Sequence, residues 1–194
     1  MYTFEMKIPV TVAGAVRGGG YGGSGQIQID CDSSRGDIAA LECSGIPGLL
    51  ANGARRYPHA PALLAPGRDP MTFGLLWEQV QQVAGAISAA GIGRSDRVAV
   101  VLPNGPEMAA AFLSISAAAT CAPLNPGYQA NEFEFYLSDL NPKALIVQAG
   151  AESAAATVAR ARGIRVIELV PEIQCESGAF SLQGVAPGIP GRTS

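Results

Sequence analysis

Arg97–Leu102 reads RVAVVL and is followed at once by the punctuation Pro103-Asn104-Gly105. A continuous apolar run bounded by turn residues is the pattern of a strand buried on both faces, as in a parallel sheet. Beyond the turn, Pro106 suits the first turn of a helix and Glu107 suits its positive end. The stretch from about 106 to 118 is apolar nearly all round, so a buried helix is expected there.

The same alternation extends both ways. C-terminal to this unit, Thr120–Leu124 reads as a second strand and Asn131–Leu140 as a helix bearing Phe133, Tyr136, Leu137 and Leu140. Ala144–Val147 then reads as a third strand, Glu152–Arg162 as a helix and Ile164–Leu169 as a fourth strand. N-terminal to it, Phe73, Leu76, Trp77, Val80, Val83, Ala84 and Ile87 recur at three- and four-residue spacing, with Thr72 as N-cap and Gly91 as stop. Leu49, Leu50, Ala54 and Tyr57 predict a short helix ended by Pro58, and Ala62–Leu64 a short strand before the turn Pro66-Gly67. Buried strands alternating with helices predict an α/β fold: four parallel strands with helices on both faces, over residues 46–170. Residues 171–194, rich in Gly, Pro and Ser, are expected to be an irregular tail.

Residues 1–45 differ in character. Tyr2, Phe4, Met6, Ile8, Val10 and Val12 alternate with mostly polar residues, the period of a half-buried strand. Gly18–Gly25 reads as a glycine linker, and Ile27 and Ile29 begin a second strand-like run.

The 194 residues carry a net charge of −3, which gives no electrostatic case for nucleic-acid binding. Arg55-Arg56 and Arg160-Arg162-Arg165 read as solvated helix faces rather than phosphate sites. Cys31, Cys43, Cys121 and Cys175 form no CxxC pair and His59 is the only histidine, so a metal site is not expected. Free thiols fit a reducing cytoplasm. Neither a signal peptide nor a membrane span is expected: the longest weakly polar stretch, Met108–Leu124, is broken by Ser114, Ser116, Thr120 and Pro123.

Gly20, Gly22 and Gly25 fit the dinucleotide fingerprint G-x-G-x-x-G. That motif needs a helix opening inside it, so that the helix N-terminus meets the pyrophosphate. Gln26–Asp30 (QIQID) favours extended chain, and the linker reading prevails. There is no G-x-x-x-x-G-K-[ST] loop and no Ser/His/Asp arrangement at nucleophile-elbow spacing. Glu132 and Glu134 lie two apart and so point to different faces of their helix. Trp77 sits on an apolar stripe and is expected in the core.

More is carried by Gly91–Asn104 (GIGRSDRVAVVLPN), then Pro106-Glu107 and an alanine-rich helix, then Ala122–Tyr128 (APLNPGY), Glu132-Phe133, Asp139 and Pro142-Lys143. In that order these residues resemble the early strand block of the adenylate-forming superfamily: acyl-CoA synthetases, luciferases and peptide-synthetase adenylation domains. Pro61–Leu63 and Thr72-Phe73 fit as well. The resemblance covers about residues 46–170 and lies nearest the acid–CoA ligases. The sequence departs from the pattern at Leu75, where the family usually has Glu, at Ser95, where Gly is common, and at Gly105, where a hydroxyl N-cap is common.

The resemblance implies an N-terminal subdomain of an enzyme that joins a carboxylic acid to CoA through an acyl-adenylate, using ATP, Mg²⁺ and CoA. The family's ATP loop, its adenosine-binding Asp and its catalytic Lys match no position here. The resemblance therefore assigns no catalytic, cofactor-binding or metal-ligating residue to this chain. Three readings stay open: a CoA-ligase portion inactive alone, an interaction module that pairs with a separate remainder, and an unrelated nucleotide-binding α/β protein. Self-association is a further expectation, because a subdomain without its neighbour leaves apolar surface and a sheet edge uncovered.

Overall fold

Gly45–Arg56 forms helix α1 at the start of the computed structural model, which describes residues 45–185. Strands β1 (Pro61–Leu63) and β2 (Met71–Thr72) pair as a small antiparallel hairpin. Then follow α2 (Phe73–Ala89), β3 (Arg97–Val101), α3 (Pro106–Ser116), β4 (Thr120–Pro123), α4 (Ala130–Leu140), β5 (Ala144–Gln148), α5 (Ala154–Ala161), β6 (Arg165–Pro171) and β7 (Phe180–Gln183). The strand pattern expected in residues 1–45 and the glycine fingerprint lie outside the described residues.

Local chemistry sets the helix limits. The Thr72 hydroxyl accepts the Leu75 N–H at 3.3 Å and caps α2. At the other end Gly91 takes φ +78°, which lets its own N–H reach the Ser88 carbonyl and the Ile92 N–H reach that of Ile87. Gly163 (φ +71°) ends α5 in the same way, with Ile164 donating to Ala159. Both are paired-carbonyl stops that return the chain toward the sheet, with Ile92 buried behind the first.

The main sheet has the order β4-β3-β5-β6-β7. Its first four strands are parallel, as expected. The strand residues divide cleanly between two faces. Val98, Val100, Ala144, Ile146, Ile167 and Leu169 pack with α1, α2 and α3. Ala99, Val101, Leu145 and Val147 pack with α4 and α5, around Phe133 and Leu137. This double burial explains the unbroken apolar runs in the sequence.

Three expectations need correction. Residues 171–194 are not irregular throughout, since Phe180–Gln183 forms β7, and β7 makes the sheet mixed by running antiparallel to β6. Four alternating residues between Gly178 and Gly184 are too few for a periodicity to register in the sequence. Third, α3 is buried on one side only: Ala110, Ala111, Ser114 and Ile115 are covered, whereas Ala109 is exposed and Phe112 is 37 % exposed. α3 packs on α2 and on the edge strand β4, and nothing among the described residues covers its far side.

Candidate functional site

Chain direction fixes where a ligand site would lie. From β3 the chain passes through α3 to β4 on one side, and from β4 it crosses back to β5 on the other. The loops leaving β3 and β5 therefore part toward opposite faces, and the crevice between them, at the C-terminal ends of the strands, is the usual binding position of an open α/β sheet. Here it is bordered by Leu102–Gly105 and Ala149–Ser153.

The adjoining surface holds an open depression of about 560 Å³ lined by Ala151, Glu152, Ser153, Ala154, Thr157 and Arg160. Its polar groups are taken up locally. The Ser153 hydroxyl accepts the Ala156 N–H (3.4 Å), the Thr157 hydroxyl donates to the Ser153 carbonyl (3.3 Å), and Arg160 lies 3.6 Å from Glu168. At the start of α3, Glu107 is held by the Arg68 guanidinium. The same guanidinium donates to the carbonyls of Glu172 (3.1 Å) and Glu176 (2.6 Å), while its Nε is buried with no partner among the described residues. Beside it the wholly buried Ser177 accepts the Ala65 N–H (3.0 Å) and donates to the Asp69 carbonyl (2.9 Å). Arg68 and Ser177 thus tie the β1–β2 turn to the loop between β6 and β7. Sequence reading missed Arg68, and no local signal marks it, because these partners lie 39 to 108 residues away.

The opposite end of the sheet holds a second latch. Asp96 accepts the Gly93 N–H (2.8 Å) and the Lys143 ammonium (3.0 Å), and Lys143 also reaches the Gly91 carbonyl (3.1 Å). The Gly93 N–H, and then Lys143, hold the Asp96 carboxyl below the usual carboxylate range. Much of the GIGRSD…PK pattern therefore encodes the joint that seats β3 beside β5.

The remaining candidates are structural. Glu132 bonds back to the Gln129 N–H (2.8 Å) at the start of α4, and Glu134 pairs with Arg162, so the two acids do diverge. Arg165 donates to the Ala90 carbonyl (2.9 Å) and Arg55 to Asn52 (3.1 Å). Trp77 packs against the core, and His59 is exposed. Tyr128 stacks on Tyr136 with ring centroids 5.1 Å apart, and the hydrogen bond between their hydroxyls raises the Tyr128 pKa. Burial pushes the Cys121 thiol up to about 12, only partly offset by a hydrogen bond from Ser116, so it is protonated at neutral pH and not a nucleophile. Among the described residues no three His, Cys, Asp or Glu side chains gather as metal ligands. Nor is any helix there long and apolar enough to cross a membrane.

The family model described as AMP-binding enzyme matches residues 50–183. The chain belongs to the AMP-binding enzyme family. Within that family it is 41 % identical over 108 residues to an oxalate–CoA ligase of Arabidopsis thaliana, covering 55 % of this chain and 21 % of that one. It is 38 % identical over 128 residues to a probable CoA ligase, CCL9, of Humulus lupulus, covering 65 % and 24 %. Among solved structures, a fatty acyl CoA synthetase of Mycobacterium tuberculosis superposes with a TM-score of 0.54 at 28 % identity, over 63 % of this chain and 24 % of that one. The chain thus spans about a fifth to a quarter of the length of these relatives.

Proposed function

We propose that residues 45–185 are the structural base of an ATP-dependent acid–CoA ligase that works through an acyl-adenylate. The observation that carries this reading is the match over residues 50–183, which runs from α1 to the end of β7. The acid, ATP, Mg²⁺ and CoA would be handled by groups outside these residues, whether on the same polypeptide or another. The described residues do not fit ATP or Mg²⁺ themselves. Their carboxylates at the C-terminal rim are paired or isolated, and the loops there lack a run of glycines to cradle phosphates. The contribution of this segment is therefore positional: the double-faced sheet carries the rim, the Arg68 latch ties the rim's loops together and the Asp96 latch seats the strands at the opposite end. The free thiols Cys121 and Cys175 suit a reducing compartment, and the cytoplasm is the proposed location.

Acid-dependent exchange of labelled pyrophosphate into ATP tests this reading. The 194-residue chain alone should stay at the no-protein background with any carboxylate. A chimera in which residues 50–183 replace the matching segment of the hop CoA ligase should retain exchange. Exchange by the chain alone would place adenylation chemistry within it and overturn the proposal.

A further inference from the structure

Four segments meet at the C-terminal rim of the sheet through one side chain and its neighbours. Arg68, in the turn between β1 and β2, pairs with Glu107 in the first turn of α3. Its other terminal nitrogen donates to the carbonyls of Glu172 (3.1 Å), Cys175 (3.4 Å) and Glu176 (2.6 Å) in the loop between β6 and β7. That loop fits closely around the joint. Gln79 of α2 donates to the Gly178 carbonyl at 3.1 Å, and a Cβ on Gly178 would lie 2.8 Å from the Pro106 carbonyl oxygen. The guanidinium therefore spans the loops that follow β3 and β6, the two strands that flank β5.

Holding these loops together does not by itself call for an ion pair. Desolvating two charges offsets much of their attraction, and apolar side chains of the same volume can stabilise a site as well. Arg68 and Glu107 are nevertheless largely covered. What the guanidinium adds is direction. Its planar fork presents donors at fixed angles, whereas a lysine ammonium is a point charge. With one prong on Glu107 and the other on the loop carbonyls, the fork sets the β6–β7 loop against the start of α3 in register as well as in contact.

We infer that Arg68 is a positioning residue for the ligase reaction: it fixes the register of two rim loops against which the reacting groups outside residues 45–185 are aligned. The inference rests on the ligase reading. Ligands of open α/β sheets bind where the loops leave the C-terminal ends of the strands, and a displacement of about 1 Å remote from the reacting atoms can lower turnover about a hundredfold. Arg68 touches no substrate in this role. It acts through Glu107 and the loop carbonyls.

The chimera that carries residues 50–183 in the hop CoA ligase separates register from stability. Arg68→Met removes charge and fork together, while Arg68→Lys keeps the charge and loses the fork. Arg68→Lys should melt closer to the unsubstituted chimera than Arg68→Met does. Both should nevertheless lower the saturated rate of acid-dependent pyrophosphate exchange about tenfold or more per folded molecule, with the KM for ATP nearly unchanged. The 194-residue chain gives a readout without activity. The Ala109 N–H, which donates to Gly105 at 3.2 Å, and the Glu172 N–H, which donates to Ala179 at 2.9 Å, should both exchange faster in Arg68→Lys. An unsubstituted chimera without exchange activity would overturn the ligase reading and this inference with it. An active chimera whose rate follows the melting point across the two variants, or whose Arg68→Lys form keeps full turnover, would overturn this inference alone. So would Ala109 and Glu172 amides that exchange in Arg68→Lys at the unsubstituted rate.

Discussion

Arg68 joins three segments that the sequence keeps far apart: the turn after β1, the first turn of α3 and the loop between β6 and β7. Its side chain and that of Glu107 are only 15 % and 19 % exposed, so removing one leaves the other largely desolvated and unpaired. Arg68→Met should therefore cost about 2–3 kcal/mol, read as a lower urea midpoint at unchanged slope. Asp96 acts at the other end of the sheet, and its effect depends on pH. Its folded pKa lies below the unfolded value, so its contribution is full above the ordinary carboxylate range and is lost as pH falls through the folded value. Asp96→Asn should accordingly melt below wild type at pH 7, with the gap closing as pH drops below about 4. The cysteines give a chemical check. Alkylation of the native chain near pH 8 should modify the exposed Cys175 and spare Cys121, as read by peptide mass spectrometry. At this scale the sequence was only partly legible. The divergence of Glu132 and Glu134 followed from their spacing, whereas the Arg68 hub depends on long-range geometry that no local pattern encodes.

Elements were legible where one periodicity ran long enough. β3 and β5 are buried on both faces, and their unbroken apolar runs said so. α2 declared its buried stripe at Leu76, Val80, Val83 and Ile87, together with both of its ends. β7 did not declare itself, because its place is set by contact rather than propensity. It reaches β6 through a turn in which Gly178 takes φ +88°, and a Cβ there would lie 2.8 Å from the Pro106 carbonyl oxygen. Only glycine fits that approach, so Gly178→Ala should cost about 2–3 kcal/mol by strain and displaced backbone. It should also expose the Phe180–Gln183 amides to hydrogen exchange before the rest of the sheet. α3 misled for a related reason. Its composition gives no hint of which side its neighbours occupy, so a helix apolar all round was expected to be buried all round.

At the scale of the molecule, the described residues cover both faces of their own sheet: α1, α2 and α3 close one and α4 and α5 the other. The largest buried side chains, among them Phe133, Leu76, Ile115, Leu145, Ile146 and Ile167, are all enclosed by elements between Gly45 and Val185. Stability of this unit therefore rests on contacts within it, since apolar burial is the dominant favourable term in folding. The fold class and the parallel sense of the first four strands were legible because each strand–helix unit carries its own signal, whereas the strand order came only with the structure. No such logic pointed to a catalytic centre, because the polar groups at the rim are taken up by caps and ion pairs. The consequence is testable by truncation. Deleting residues 1–44 should leave the thermal midpoint within about 3 °C of the full chain, a shift of no more than about 1 kcal/mol in a domain this size. The same deletion should leave the Arg68 and Asp96 effects unchanged, because their partners all lie within 45–185. A fall of about 10 °C or more would instead mean that the alternating Tyr2–Val12 stretch supplies part of the sheet.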